Sequence, residues 1–201
     1  MIKAVIFDLD GTITKPFLDF QRIIIEVGAE IGRLALLEQI EQMPDDKREK
    51  AMAVLEKHEL DATENAEFND GVEKLLDRAK GLGLKTAILT RNSEKSTQRV
   101  LEKLGIEVDM VITRDSDVAI KPDPAAIHLL SRKWDIDPYQ MLMVGDFRYD
   151  IDCGRAAGAI TCLVTNAKTH IQDGGPHYKV ETPGEVVPIL EELAGEGGGS
   201  A

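Results

Sequence analysis

The chain has 201 residues, of which 43% are hydrophobic and 30% are charged, so it can form one packed domain with a small additional module. The net charge of −12 argues against a nucleic-acid partner, because nucleic-acid binders present basic surfaces. With two cysteines, no apolar run of 18 residues and no signal-peptide pattern, we expect a cytoplasmic protein without disulfides or a membrane partner.

The first predicted element is a buried strand with two carboxylates at its end. AVIF (residues 4–7) is apolar, and Asp8 and Asp10 follow it with only Leu9 between them. Side chains two residues apart on a strand point to the same side, so these two carboxylates repel each other and are costly to bury. The pattern predicts that they hold something between them, and a cation would relieve the repulsion.

The segment from 16 to 68 has no strand signal. FLDFQRIIIEVGAEIGRLALLEQIEQM (17–43) and DKREKAMAVLEKHEL (46–60) predict two helices, which we interpret as a small inserted helical module rather than an unusually long crossover. Apolar residues on the first predicted helix occupy more than one stripe. We expect the surplus either to pack on the chain's main domain or to form a homodimer, and we favour the homodimer. The apolar residues are Ile23, Ile24, Ile25, Val27, Ile31, Leu34, Leu36, Leu37 and Ile40.

Strands and helices alternate through the rest of the chain. Strands are predicted at TAIL (86–89), MVIT (110–113), MLMV (141–144) and ITCLV (160–164). Helical periodicity covers 71–83, 93–105, 123–134 and 148–158, with Ser93 as a predicted cap and Gly105 and Gly158 as stops. This alternation predicts an α/β fold with a doubly wound, Rossmann-like parallel sheet, whose sites gather at the carboxyl ends of the strands.

Polar residues follow several of these strands. Thr90-Arg91-Asn92 comes after the second strand, Lys121 precedes a helix, and Asp146 and Asp150 come after the fourth strand. Clustered carboxylates without histidines suit a hard cation such as Mg²⁺. A lysine and a threonine hydroxyl suit an anion beside that metal, most naturally a phosphate. We therefore expect one site at one edge of the sheet.

Four short motifs carry a resemblance to a known family. In chain order, DLDGT, the threonine of ILTRN, the lysine of KPDP and the aspartates of VGDFRYD resemble the four motifs of the haloacid dehalogenase superfamily. The insertion resembles the first-type cap of its phosphoglycolate phosphatase and β-phosphoglucomutase branch. The resemblance implies a catalytic core at 1–15 and 69–192 and a cap at 16–68. The Gly-rich composition predicts a flexible tail at 193–201.

The resemblance also implies catalytic roles. Asp8 would be the nucleophile that forms an aspartyl-phosphate. Asp10 would be the acid that protonates the leaving group and then the base that activates water. Lys121 would neutralise charge at the nucleophile and the phosphate, while Thr90 and the backbone N–H of Arg91 would hold the phosphoryl oxygens.

The ligand set is implied in the same way. Asp8, Asp146 and the backbone carbonyl of Asp10 would bind Mg²⁺, and Asp150 would support these ligands from behind. Asn92 would touch the phosphate or the rest of the substrate. An acid at position 10 favours phosphoryl transfer over dehalogenation, because halide displacement needs no proton donor there.

The expected function is therefore a Mg²⁺-dependent phosphatase acting on a small phosphorylated metabolite. Two alternatives stay open at this point. A sugar phosphomutase would use the same aspartyl-phosphate, although an insertion of about 50 residues would exclude water poorly. A phospho-accepting receiver-like signalling module would also combine acidic residues, a threonine and a lysine, but its acceptor aspartate lies on a later strand.

Overall fold

The computed structural model describes residues 1–16, 18–31, 35–167 and 174–195, and its centre is one parallel sheet. The strands are β1 (Ala4–Phe7), β2 (Lys85–Leu89), β3 (Met110–Ile112), β4 (Met141–Gly145), β5 (Ile160–Val164) and β6 (Tyr178–Val180). They lie in the order β3-β2-β1-β4-β5-β6, and every neighbouring pair is parallel. The predicted doubly wound α/β fold is confirmed.

Helices cover both faces of this sheet. The helices are α1 (Phe20–Val27), α2 (Leu36–Glu41), α3 (Asp45–Thr63), α4 (Val72–Gly81), α5 (Glu94–Leu104), α6 (Ala125–Trp134), α7 (Arg148–Ala157) and α8 (Val186–Ala194). One apolar core joins the sheet to α4, α5 and α8, and a second joins it to α6 and α7. Within the described ranges, no helix is long and apolar enough to cross a membrane.

Strand β6 and helix α8 were not predicted from the sequence. Strand β6 has three half-buried or exposed residues at the sheet edge, too few for a periodic signal, and α8 carries Pro188 in its first turn. The predicted tail boundary at 193 is also too early. Helix α8 runs to Ala194, and Leu193 packs against the core. The remainder of the predicted tail, residues 196–201, lies outside the described residues.

We call the segment between β1 and α4 the helical insertion (residues 16–68). Its described residues, 16, 18–31 and 35–68, form three helices rather than the two predicted. Helix α1 ends at Gly28, which adopts φ +73° and caps the helix with its backbone N–H. Glycine adopts this left-handed conformation at little cost, and the conformation ends the helix. The apolar periodicity of the sequence continues past Gly28 and therefore does not reveal the break. Helix α3 runs from Asp45 to Thr63, slightly beyond its predicted bounds.

The helical insertion has its own small core, which accounts for most of the apolar surplus seen in the sequence. Ile23, Leu36 and Ile40 are buried against Ala51 and Leu55 of α3. The described large apolar side chains of the insertion that stay exposed are Phe20, Ile25 and Ile31, and Leu34 lies outside the described residues. The homodimer through this insertion stays a prediction, and these three side chains are the ones that it would cover.

Candidate active site

The carboxyl ends of three neighbouring strands bring the predicted residues to one edge of the sheet. Strand β1 pairs with β2 on one side and with β4 on the other. The backbone N–H of Asp8 donates to the Val144 carbonyl (2.9 Å), and that of Thr90 donates to the Ile112 carbonyl (2.9 Å). The ladder therefore extends one residue past β1 and β2, so Asp8 and Thr90 emerge beside Asp146, which directly follows β4.

Lys121 places a positive charge at this edge of the sheet. Its side chain comes from the loop between β3 and α6 and is 2% exposed. Its ammonium donates to Asp8 Oδ1 and to Asp150 Oδ1, the latter at 2.7 Å. Burial by itself would lower the pKa of Lys121, but the Asp150 and Asp8 carboxylates outweigh burial and raise it. The lysine therefore stays charged between the two carboxylates.

Asp10 lies in a different environment from Asp8. Its Oδ2 accepts from Asn92 Nδ2 at 2.5 Å, and its Oδ1 accepts from the Thr14 hydroxyl at 3.4 Å. Burial, followed by the negative charge of Asp8, raises its pKa from 3.8 to about 7, and the Asn92 hydrogen bond opposes this rise only in part. Asp10 can therefore carry a proton near neutral pH, as a general acid must.

Two glycines allow the carboxylates to pack against the backbone. A Cβ on Gly11, at φ +83°, would lie 2.3 Å from Asp146 Oδ2, and a Cβ on Gly145 would lie 2.1 Å from Asp150 Cγ. Asn69 and Asn166 donate to the Gly11 carbonyl at 2.9 and 2.6 Å and hold this turn in place. These positions need glycine for space.

The carboxylates suit a divalent cation. Oxygens of Asp8, Asp146 and Asp150 lie within 4.8 Å of one another, and all three residues are buried. Asp150 is already occupied, because Oδ1 accepts from Lys121 and Oδ2 accepts from the Phe147 backbone N–H at 2.9 Å. A buried, oxygen-only donor set whose negative charges outnumber its one ammonium fits Mg²⁺.

The residues after β2 divide between two environments. Thr90 is 1% exposed, and its hydroxyl accepts from the backbone N–H of Asn92 at 3.2 Å. The Arg91 guanidinium instead donates to the Lys121 carbonyl at 2.7 Å and to Glu38 at 2.8 Å. The Arg91 side chain is thus engaged away from Thr90, and the phosphate contact of its backbone N–H stays a prediction.

Other polar residues near the site had no signal in the sequence. Glu59 of α3 is buried, accepts from the Ser93 N–H at 3.1 Å and forms an ion pair with Arg114. Its charge contributes to the raised pKa of Asp10. A glutamate in a charged helical segment resembles a solvent-facing residue, so only the packing of α3 against α5 reveals it.

The two cysteines are packing residues. Cys153 lies on α7 and Cys162 on β5, and both are buried. Burial raises the pKa of each thiol to about 12, so neither is a thiolate near neutral pH. They take no part in the candidate site.

Comparisons with known proteins agree on one family. The sequence model of the haloacid dehalogenase-like hydrolases matches residues 2–158. PpaX of Clostridium perfringens, provisionally named a pyrophosphatase, is 30% identical over 96% of this chain and 99% of its own length. Phosphoglycolate phosphatase 1 of Pseudomonas aeruginosa is 26% identical over 96% of this chain and 81% of its own length. The crystal structure of β-phosphoglucomutase from Clostridium difficile shares the fold, with a TM-score of 0.76, 19% identity and 98% coverage of both chains.

Proposed function

The chain belongs to the haloacid dehalogenase-like hydrolase family, and from this premise we propose that it is a Mg²⁺-dependent phosphatase. Its substrate would be a small phosphorylated metabolite, and its intermediate would be an aspartyl-phosphate on Asp8. The proposal extends family membership to one reaction and to named residues. The support comes from the electrostatics of the two aspartates that follow β1.

The contrast between Asp8 and Asp10 is the observation that carries the proposal. Asp8 accepts from the Lys121 ammonium, whereas Asp10 is bound by the neutral Asn92 amide and has a pKa of about 7. Two carboxylates whose environments differ in this way can serve as nucleophile and as proton donor in one reaction. The same pair would be poorly explained as a purely structural cluster.

In the first half of the reaction, an Asp8 carboxylate oxygen attacks phosphorus. A bond forms between that oxygen and phosphorus, and the bond from phosphorus to the leaving oxygen breaks. Asp10 transfers its proton to the leaving oxygen, so the product departs as a neutral alcohol. The Thr90 hydroxyl and the Lys121 ammonium would stabilise the charge on the transferred phosphoryl group.

In the second half, Asp10 acts as a base. It removes a proton from water, the water oxygen bonds to phosphorus, and the bond to Asp8 breaks to release phosphate. Asp10 is then protonated again and ready for the next cycle. Asp8, Asp146 and the Asp10 carbonyl would hold Mg²⁺, with Asp150 behind them. When bound, the metal neutralises negative charge around the transferred group.

The substrate class follows from the relatives by analogy. The C. perfringens relative is named for pyrophosphate and the P. aeruginosa relative for phosphoglycolate, both small and strongly anionic. We propose a phosphorylated small acid of the phosphoglycolate type as the first substrate to test. A panel of phosphorylated metabolites, assayed by phosphate release, identifies the preferred member by kcat/KM.

The test of the reaction uses an aryl phosphate. Wild-type protein should release phosphate from p-nitrophenyl phosphate with Mg²⁺ and stop when EDTA is added. Asp8→Asn should lower kcat more than about 100-fold, which is about 2.7 kcal/mol of barrier. Asp152→Asn is the matched control, because Asp152 pairs with Arg148 on the outer face of α7. Equal activity in wild type and Asp8→Asn would refute the assignment of Asp8 as the nucleophile.

The two alternatives predict different products. A phosphomutase would transfer the phosphoryl group to a second position of a sugar phosphate and release little phosphate. A receiver-like module would hold its aspartyl-phosphate and turn over slowly. Sustained stoichiometric release of phosphate from the panel excludes both alternatives, while isomerised sugar phosphate without release favours the mutase.

A further inference from the structure

The Arg91 side chain leaves the phosphate site and joins three separate parts of the molecule. Its guanidinium donates to the backbone carbonyl of Lys121 at 2.7 Å. It lies 2.8 Å from both carboxylate oxygens of Glu38 on α2. It also stacks over the ring of Tyr149 on α7, 4.9 Å from the ring centroid. Its side chain is 21% exposed, so the contacts are only partly screened by solvent.

The Lys121 contact connects Arg91 to the catalytic machinery. A hydrogen bond from a charged donor is about twice as strong as a neutral one, so it fixes the peptide that carries Lys121. The ammonium of the same residue is held between Asp8 and Asp150. A shift of the Lys121 peptide would therefore move the ammonium relative to the nucleophile.

The Glu38 contact connects Arg91 to the helical insertion. Helix α2 begins with Leu36 and presents Glu38 to the core. The Glu38 side chain is 30% exposed. Tyr149 supports the guanidinium from α7, and Phe147 packs edge-on against Tyr149 at 5.2 Å between ring centroids. The ion pair between Glu38 and Arg91 thus links the position of α2 to Arg91, the residue that holds the Lys121 peptide.

We propose that Arg91 is a positioning residue for Lys121, and that Glu38 fixes Arg91 when α2 lies against the core. The inference rests on the proposed phosphatase function and adds a coupling between the helical insertion and the catalytic lysine. The side chains of Arg91 and Glu38 touch no reacting atom in this scheme. Their effect is on the rate of the chemical step, since they act through Lys121.

The kinetic test compares Arg91→Met, Glu38→Gln and the double variant with wild type on p-nitrophenyl phosphate. Arg91→Met should lower kcat about 10- to 100-fold, the worth of a charge-assisted hydrogen bond, and change KM less than about threefold. Glu38→Gln should lower kcat about three- to tenfold. The double variant should be no slower than Arg91→Met, because Glu38 acts through Arg91.

Two further variants keep the test decisive if Arg91→Met folds poorly. Arg91→Lys keeps the charge but lacks the planar fork, so its kcat should lie between those of wild type and Arg91→Met. Glu41→Gln is the matched control on the same helix, where Glu41 is exposed and its backbone carbonyl accepts from Arg48. Its kcat should equal that of wild type.

Hydrogen–deuterium exchange gives a readout independent of turnover. Amides in the Ile120–Asp123 segment should exchange faster in Arg91→Met and in Glu38→Gln than in wild type or Glu41→Gln. A wild-type kcat in both variants, even with a lower melting temperature, overturns the proposal, and additive losses in the double variant overturn the coupling through Arg91. Failure of the phosphatase function is distinct, because wild-type protein would then release no phosphate.

Discussion

Replacing Asp10 with asparagine should stabilise the metal-free protein while impairing its reaction. The folded protein raises the pKa of Asp10 from 3.8 to about 7, mainly through burial and the charge of Asp8. Asparagine has nearly the same shape, can still accept from Asn92 and carries no charge. The variant therefore removes an electrostatic cost that the folded state bears.

The sign and size of the effect follow from proton linkage. The unfolded chain loses the Asp10 proton near pH 4 and the folded protein near pH 7, so the free energy of unfolding falls across this interval. The full shift corresponds to an upper bound of about 4 kcal/mol above pH 7. Screening and relaxation reduce this value, and we expect Asp10→Asn to gain about 1–3 kcal/mol at pH 8.

Urea denaturation in EDTA, followed by circular dichroism at pH 5 and pH 8, measures the gain. The free energy of unfolding of Asp10→Asn should exceed that of wild type at pH 8, and the excess should be clearly smaller at pH 5. The surface control Asp152→Asn should stay within about 1 kcal/mol of wild type at both pH values. A gain that is absent at pH 8, or equal at the two pH values, would show that the charge of Asp10 is not costly in the folded state.

The other predictions concern the leaving group, the turn at β4, the anchor of α3 and the oligomeric state. Asp10→Asn should lower kcat more for alkyl than for aryl phosphates, because aryl oxides leave without a proton; equal losses would contradict the acid role. Gly145→Ala forces a Cβ against Asp150 and should cost about 1–3 kcal/mol of unfolding free energy, measured in urea. Arg114→Met leaves Glu59 buried without its cation and should cost about 3–5 kcal/mol, whereas a loss below about 1 kcal/mol would show that the pair is unimportant. Sedimentation at micromolar concentration should show a dimer, and a purely monomeric species would refute association through the helical insertion.

The alternation of strands and helices was predictable from the sequence because it depends on local periodicity. Five of the six strands lie within one residue of their predicted bounds, since β-branched runs flanked by helical segments have few other structures available. The edge that collects Asp8, Thr90 and Asp146 follows from the same alternation, because parallel strands place their carboxyl ends together. The four short motifs that carry the family resemblance also lie at or beside this edge.

Local sequence was insufficient wherever a break or an edge decided the structure. The periodicity of the first predicted helix runs through Gly28, yet the helix ends there because glycine accepts a left-handed conformation. Strand β6 exists because β5 offers it an unpaired edge, and its three residues have no periodicity of their own. Tertiary pairing therefore determines β6, whereas a single local glycine determines the end of α1.

The sequence by itself determined the residue types of the candidate site and the sheet edge that gathers them, whereas the tertiary structure decided their electrostatic partners. Lys121 reaches Asp8 across 113 positions of sequence, and Asn92 reaches Asp10 across 82. Glu38 reaches Arg91 from a helix of the insertion, across 53 positions. Partners so distant in sequence are selected by how loops and helices pack around the sheet. The energies that distinguish Asp8 from Asp10 depend on burial and on distances of a few ångströms, and these exist only in the folded chain.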